Sequence, residues 1–148
     1  MLKVGLVGCG AIGGELARAI DAKKLSGLER VAICDRNKTR EDELVSSPRK
    51  MPVVTSIDGM IEKADLIIEA ASSYIVGELV QKALNKGKDV MVMSVGGMLD
   101  YLHLFAEARE KKCRIYLPSG AIAGLDGIKA AKEARLDSVT LETSKPPQ

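Results

Sequence analysis

The sequence predicts an α/β chain built on a doubly wound, mostly parallel sheet, and three observations predict it. An apolar strand over residues 1–7 runs straight into Gly8-Cys9-Gly10-Ala11-Ile12-Gly13. A second β-rich segment, residues 30–34, ends in an acid, Asp35, about 20 residues beyond those glycines. Beyond it, short apolar strands keep alternating with helix-length segments to about residue 118. Strands separated by helices give parallel β-α-β units with right-handed crossovers.

The first element carries the most chemistry. Gly8 permits a tight turn out of the strand, and Gly10 lets the backbone approach a phosphate with no Cβ in the way. Gly13 lets the following helix pack close to the sheet, its N-terminal amides facing an anion. Strand, G-x-G-x-x-G turn, helix and a later acid are the features of a Rossmann dinucleotide-binding unit. That helix is expected over residues 11–25, with Ile12, Leu16 and Ile20 on one face.

The second strand follows at residues 30–34. Thr39 to Asp42 reads as a capping box opening a short helix that ends near Ser46. Residues 47–52 read as a loop, residues 53–55 as a brief strand, and Ser56 as the cap of a helical turn through Glu62. Residues 66–71 form the fourth strand, almost continuously apolar, as strands covered on both faces are. Ser72 or Ser73 is expected to cap a helix that stops at Gly87, a residue suited to the left-handed conformation. Strand five covers residues 90–93, a helix residues 99–112, and strand six residues 114–117.

Four segments then fall at the carboxyl edge of the sheet, where ligands bind in doubly wound folds. They are residues 8–13, Ala70-Ala71-Ser72-Ser73, Ser94-Val95-Gly96-Gly97, and residues 118–124. Any one could simply end a strand. Together, beside a phosphate loop, they favour a cleft for cofactor and substrate.

Composition narrows the function classes. With 148 residues there is room for one domain with a real core. The formal net charge is only +2 and aromatics make up 3% with no Trp, so neither a nucleic-acid partner nor a base-stacking platform is expected. No apolar run approaches the roughly 20 residues that span a bilayer, and no signal peptide is expected. Cys9, Cys34 and Cys113 are far apart, with no C-x-x-C, and read as reduced thiols of a cytoplasmic protein. Cys9 reads as buried filler. No metal site is expected.

At residues 119–126, Ser-Gly-Ala-Ile-Ala-Gly-Leu-Asp, the sequence resembles the L-aspartate dehydrogenase family. The glycine turn, the Glu69-Ala70-Ala71-Ser72 run and Ser94-Val95-Gly96-Gly97 share the resemblance, which spans essentially all 148 residues. It implies an NAD(P)-dependent oxidoreductase that deaminates L-aspartate through an imine to oxaloacetate and ammonia, a step that in some organisms feeds NAD biosynthesis. It implies cofactor contacts at Gly8, Gly10, Ala11, Ile12, Gly13, Asp35, Arg36, Ala70, Ala71, Ser72, Ser94, Gly96 and Ala121, and substrate contacts at Ser119 and Gly120. Residues 1–118 would be the dinucleotide-binding domain and residues 119–148 the start of a second, α+β domain, its first strand near residues 139–143.

Family members continue for roughly another half-length. That continuation carries a catalytic histidine and an asparagine with no counterpart here, so the chain is either a fragment or a natural short relative without the chemistry; the β-rich run over residues 139–143 favours a fragment, one that binds cofactor without turnover. The only histidine, His103, falls mid-helix and reads as a surface imidazole. No catalytic residue is assigned. Asp35 at the ribose favours NAD, while Arg36, Lys38 and Arg40 leave NADP tolerated; a solvated basic loop is the other reading of those three. The full-length protein is expected to be a homo-oligomer, a dimer, with apolar surface on residues 122–136 and on the strand from Val139. Alternatives are a homoserine dehydrogenase-like or dihydrodipicolinate reductase-like enzyme, or a non-catalytic NAD-binding sensor domain. Met93-Ser94-Val95 stands where sugar dehydrogenases of the glucose-fructose oxidoreductase type place Glu-Lys-Pro, which argues against that group.

Overall fold

The apolar runs of the sequence become the strands of one parallel sheet. The computed structural model describes residues 1–45, 53–119, 125–133, 135–142 and 144. In chain order the elements are β1 (Leu2–Val7), α1 (Ala11–Asp21), β2 (Leu28–Cys34), α2 (Lys38–Val45), β3 (Val53–Val54) and α3 (Ile57–Lys63). They continue with β4 (Leu66–Glu69), α4 (Val76–Asn85), β5 (Asp89–Val92), α5 (Leu104–Glu110), β6 (Ile115–Tyr116) and α6 (Leu125–Lys132). The chain divides into two units, Met1–Pro118 and Ser119–Gln148.

The strand order is β3-β2-β1-β4-β5-β6, and every neighbouring pair is parallel. Successive side chains of a strand face opposite sides, so a sheet covered on both faces must bury consecutive residues. Strand β4 does so. Leu66 and Ile68 pack with Val4, Leu6, Ala17 and Ile20 on the α1 side, while Ile67 packs with Met60, Leu79, Leu84 and Leu104 on the side of α3, α4 and α5. Strands β1 and β4 are neighbours whose chains leave in opposite directions. This is the switch point at which such folds open a crevice.

Helix ends differ most from expectation. Helix α1 stops at Asp21 rather than near Leu25 because Lys23 turns left-handed at φ 56°. The N–H of Lys24 then donates to the Ala19 carbonyl and that of Lys23 to Ile20, closing a Schellman motif. The same motif ends α4 at Gly87, as predicted, with φ 66°, and α5 at Lys112, with φ 57°. Ser56 caps α3 as predicted, its hydroxyl accepting from the Gly59 N–H at 3.2 Å.

Helix α2 opens at Lys38, one residue before the predicted box, because Asn37 is the cap: its side-chain carbonyl accepts from the Thr39 N–H at 3.0 Å. Its predicted end near Ser46 and the loop over residues 47–52 lie outside the described residues. Neither Ser72 nor Ser73 caps α4. A 3-10 turn, Ser73–Ile75, precedes that helix, and Ser72 makes no side-chain cap hydrogen bond. The helix expected over residues 99–112 is split into a 3-10 segment, Val95–Tyr101, and α5. Tertiary contact accounts for the split. Gly97 lies so close to Ser73 that a Cβ would come within 2.6 Å of its carbonyl, and the Tyr101 ring covers Gly77.

In the second unit α6 forms, and Leu136, Val139 and Leu141 are exposed. The strand expected from Val139 does not form among residues 135–142. A β-rich run without a neighbouring strand has nowhere to place its backbone hydrogen bonds.

Candidate functional site

Three strand ends and the start of α1 build the site. Gly8 leaves β1 at φ 94°, a conformation that favours glycine, and its N–H donates to the Cys34 carbonyl at 2.8 Å, joining the ends of β1 and β2. A Cβ there would stand 2.5 Å from the Ala70 carbonyl oxygen. Gly10 precedes α1 in an extended conformation with no side-chain cap, leaving the amides of the first turn open. Among the described residues, a Cβ on Gly10 would meet only an Arg40 guanidinium nitrogen, at 3.7 Å, an ordinary van der Waals contact.

Asp35 fixes the turn from the other side. Its Oδ2 accepts from the Cys9 N–H at 2.6 Å and its Oδ1 from the Asn37 N–H at 2.8 Å. Each carboxylate oxygen keeps a lone pair for a further donor. The Asp35 N–H in turn donates to Glu41 Oε1 at 2.7 Å, and Glu41 is buried. These two acids and burial hold the thiols in their neutral form. Burial first, then the Asp35 and Glu41 charges, push Cys9 up to about 11. Cys34 is raised by burial, then by Glu41 and Asp35.

The strand ends enclose a cleft of about 680 Å³, within the range of small-molecule and cofactor sites. Of the residues predicted for cofactor contact, Gly8, Gly10, Ala11, Ile12, Asp35, Arg36, Ala70, Ala71 and Ser72 line it, joined by Arg40, Ile57, Tyr74 and Ile75. Ile12 is therefore not a core residue of α1 as its spacing suggested. It is 54% exposed and offers an apolar wall to the cleft, while Ala17 and Ile20 carry the buried face. Gly13 lies beneath the turn and shapes it without reaching the cleft: a Cβ there would collide with the Gly8 carbonyl.

Ser94 and Gly96 follow β5 and do not line this cleft. Ser119 is exposed in the second unit, and Gly120 and Ala121 lie outside the described residues. His103 is exposed at the start of α5 and is not among the lining residues.

Sequence reasoning missed Glu69. This acid ends β4 with no exposed surface, and its carboxylate holds both the Ala71 and the Ser94 backbone. One acid in an otherwise apolar run of a two-sided strand was the available signal. Arg40 was read with Arg36 and Lys38 either as tempering a 2′-phosphate or as part of a solvated basic loop; the structure brings it over the glycine turn.

Among the described residues, no three His, Cys, Asp or Glu side chains are grouped to hold a metal ion, and no helix is long and apolar enough to cross a membrane.

Residues 8–118 match the family model described as "Homoserine dehydrogenase, NAD binding domain". The chain is 45% identical to an L-aspartate dehydrogenase of Methanosarcina acetivorans over 99% of its own length and 55% of the relative's. It is 41% identical to one of Methanocaldococcus jannaschii, with 99% and 56% covered. The chain thus spans about half the length of the curated relatives it matches. Among solved structures it resembles the WlbA dehydrogenase of Bordetella pertussis in complex with NADH and UDP-GlcNAcA. The TM-score is 0.70 and the identity 23%, over 89% of this chain and 42% of the other, a likeness of fold.

Proposed function

We propose, from the premise that this chain belongs to the family of homoserine dehydrogenase NAD-binding domains, that it is the cofactor half of an NAD-dependent L-aspartate dehydrogenase. The observation that carries the substrate assignment is the 45% identity to an L-aspartate dehydrogenase across nearly the whole chain. The reaction is oxidative deamination of L-aspartate to oxaloacetate and ammonia through an imine, a product that can feed NAD biosynthesis.

The residues present suit the cofactor. The amides of the α1 first turn, with Gly10 and Ala11, hold the pyrophosphate in the space that a Cβ on Gly10 would occupy. Asp35 accepts from the ribose hydroxyls with the lone pairs its two backbone bonds leave free. Its negative charge opposes a 2′-phosphate, while Arg36 and Arg40, both at the cleft, temper that opposition. NAD is therefore preferred and NADP tolerated. Ile12, Ala70, Ala71 and Ser72 form the wall against which the cofactor would lie. When bound, the nicotinamide supplies the hydride acceptor, and the protein's part is positioning.

Ser94 and Gly96 belong to the nicotinamide side. Ala121 is assigned to the nicotinamide as well, and Ser119 and Gly120 to the substrate, in a second domain from residue 119 that the remaining length of the relatives completes. The general acid/base is assigned to that part. The enzyme is cytoplasmic and works as a homodimer.

Calorimetric titration of the 148-residue chain tests the cofactor reading. The expected result is micromolar NADH affinity, weaker NADPH affinity, and a loss of roughly tenfold in Asp35→Ala, the size of one good hydrogen bond to a charged group. No binding of either nucleotide, or NADPH more than tenfold tighter than NADH, overturns it. Assaying the full-length relative-sized protein with L-aspartate and with homoserine then separates the two substrate readings.

A further inference from the structure

Glu69 presents a chemical problem that the cofactor reading leaves unsolved. A carboxylate with no exposed surface is costly unless its oxygens are fully hydrogen-bonded. Here Oε1 accepts from the Ala71 N–H at 2.7 Å and from the Ser94 hydroxyl at 3.0 Å, and Oε2 accepts from the Ser94 N–H at 2.9 Å. None of these partners is a cation. Two are backbone N–H groups where β4 and β5 end, so the carboxylate stands in for the missing continuation of the ladder. A glutamine offers a single acceptor oxygen and would turn an N–H donor toward a group that also donates.

What those bonds join is specific. Ala71 belongs to the loop after β4, which lines the cleft. Ser94 opens the segment after β5, which returns through Gly97 to pack on Ser73 of the first loop. In a sheet of order 3-2-1-4-5-6, each half receives one mononucleotide. Asp35 at the end of β2 places the adenosine on the β1–β3 half, which leaves the ends of β4 and β5 for the other.

We propose that Glu69 is a positioning residue that sets the spacing of the β4 and β5 loops for the nicotinamide-ribose half of the dinucleotide. The inference rests on the dinucleotide reading above. It assigns Glu69 no contact with the cofactor. The carboxylate acts through Ala71 and Ser94.

The test compares NADH with ADP, which lacks the nicotinamide riboside, by calorimetry on the full chain. Wild type is expected to bind NADH more tightly than ADP. In Glu69→Gln that advantage falls by about tenfold, the equivalent of one strong hydrogen bond, while ADP affinity stays within about twofold. Glu69→Asp keeps the charge but draws the carboxylate back by one methylene, and is expected to lower the advantage by about threefold. Equal weakening toward both ligands marks general destabilisation and overturns the inference, as does an unchanged ratio. If Glu69→Gln shows no cooperative thermal transition, Glu69→Asp decides: an unchanged ratio there overturns it. Wild type binding neither ligand removes the dinucleotide reading and this inference together. Binding with an unaltered ratio removes this inference alone.

Discussion

A Cβ placed on Gly13 would stand 1.9 Å from the carbonyl oxygen of Gly8, so helix α1 is pressed directly onto the turn that leads into it. Contact at that range leaves no flexible side chain to give way. Gly13→Ala is therefore expected to lose about 3 kcal/mol of stability, the upper end of the cost of overpacking. Gly10→Ala provides the contrast. Its Cβ makes only an ordinary contact with the Arg40 guanidinium, at 3.7 Å, so stability should fall by no more than about 1 kcal/mol, the cost of a poorer helix cap. NADH affinity should fall by at least roughly tenfold, since the new methyl takes the space reserved for phosphate. Urea denaturation and calorimetry on the two variants check this. Equal stability losses would contradict the assignment of separate roles.

Cys9 lies in that same turn, and its ionisation sets a pH dependence. Burial and the nearby Asp35 and Glu41 charges raise it from 9.0 to about 11. The folded state therefore holds the thiol proton more firmly than the unfolded state. The resulting stabilisation is fully present below pH 9 and is lost as pH rises through about 11. Stability measured across that window should decline less steeply in Cys9→Ala than in wild type. Iodoacetamide, which needs the thiolate, should label Cys9 far more slowly than a free thiol at pH 8. Fast labelling there would contradict the buried, doubly repelled thiol.

Away from the cleft, Arg30 on β2 pairs with Asp21 at the end of α1. Its Nε donates to Oδ1 at 3.0 Å and its Nη2 to Oδ2, and the arginine side chain is 1% exposed. Among the described residues, its Nη1 is buried without a partner. Removing the acid leaves an unpaired buried charge, so Asp21→Ala is expected to cost about 3 kcal/mol. Arg30→Met removes the charge with its desolvation penalty and should cost much less, near neutrality. Thermal unfolding of both variants distinguishes the two.

The glycine turn, the acid of β2, the cap at Ser56 and the stop at Gly87 were all legible because each depends on residues a few positions apart. A left-handed turn favours glycine and a helix start favours a hydroxyl, and both preferences act locally. The end of α1 was hidden because Lys23 adopts the left-handed conformation without being glycine. The break between residues 95 and 104 was hidden for another reason. It follows from Gly97 and Tyr101 meeting Ser73 and Gly77, about one β-α unit earlier in the chain.

By itself the sequence determined a parallel, doubly wound sheet with an anion-binding turn at its carboxyl edge. Periodicity and turn chemistry are properties of neighbouring residues, and they suffice for that much. Only the tertiary structure decided which loops share the cleft and what holds them there. Ile12 left the core for the cleft wall, and Glu69 became the tie between two strand ends. The partners of a buried polar group are chosen by proximity in space. Glu69 and Ser94 are neighbours because β4 and β5 are paired, and no local pattern in the chain encodes that pairing.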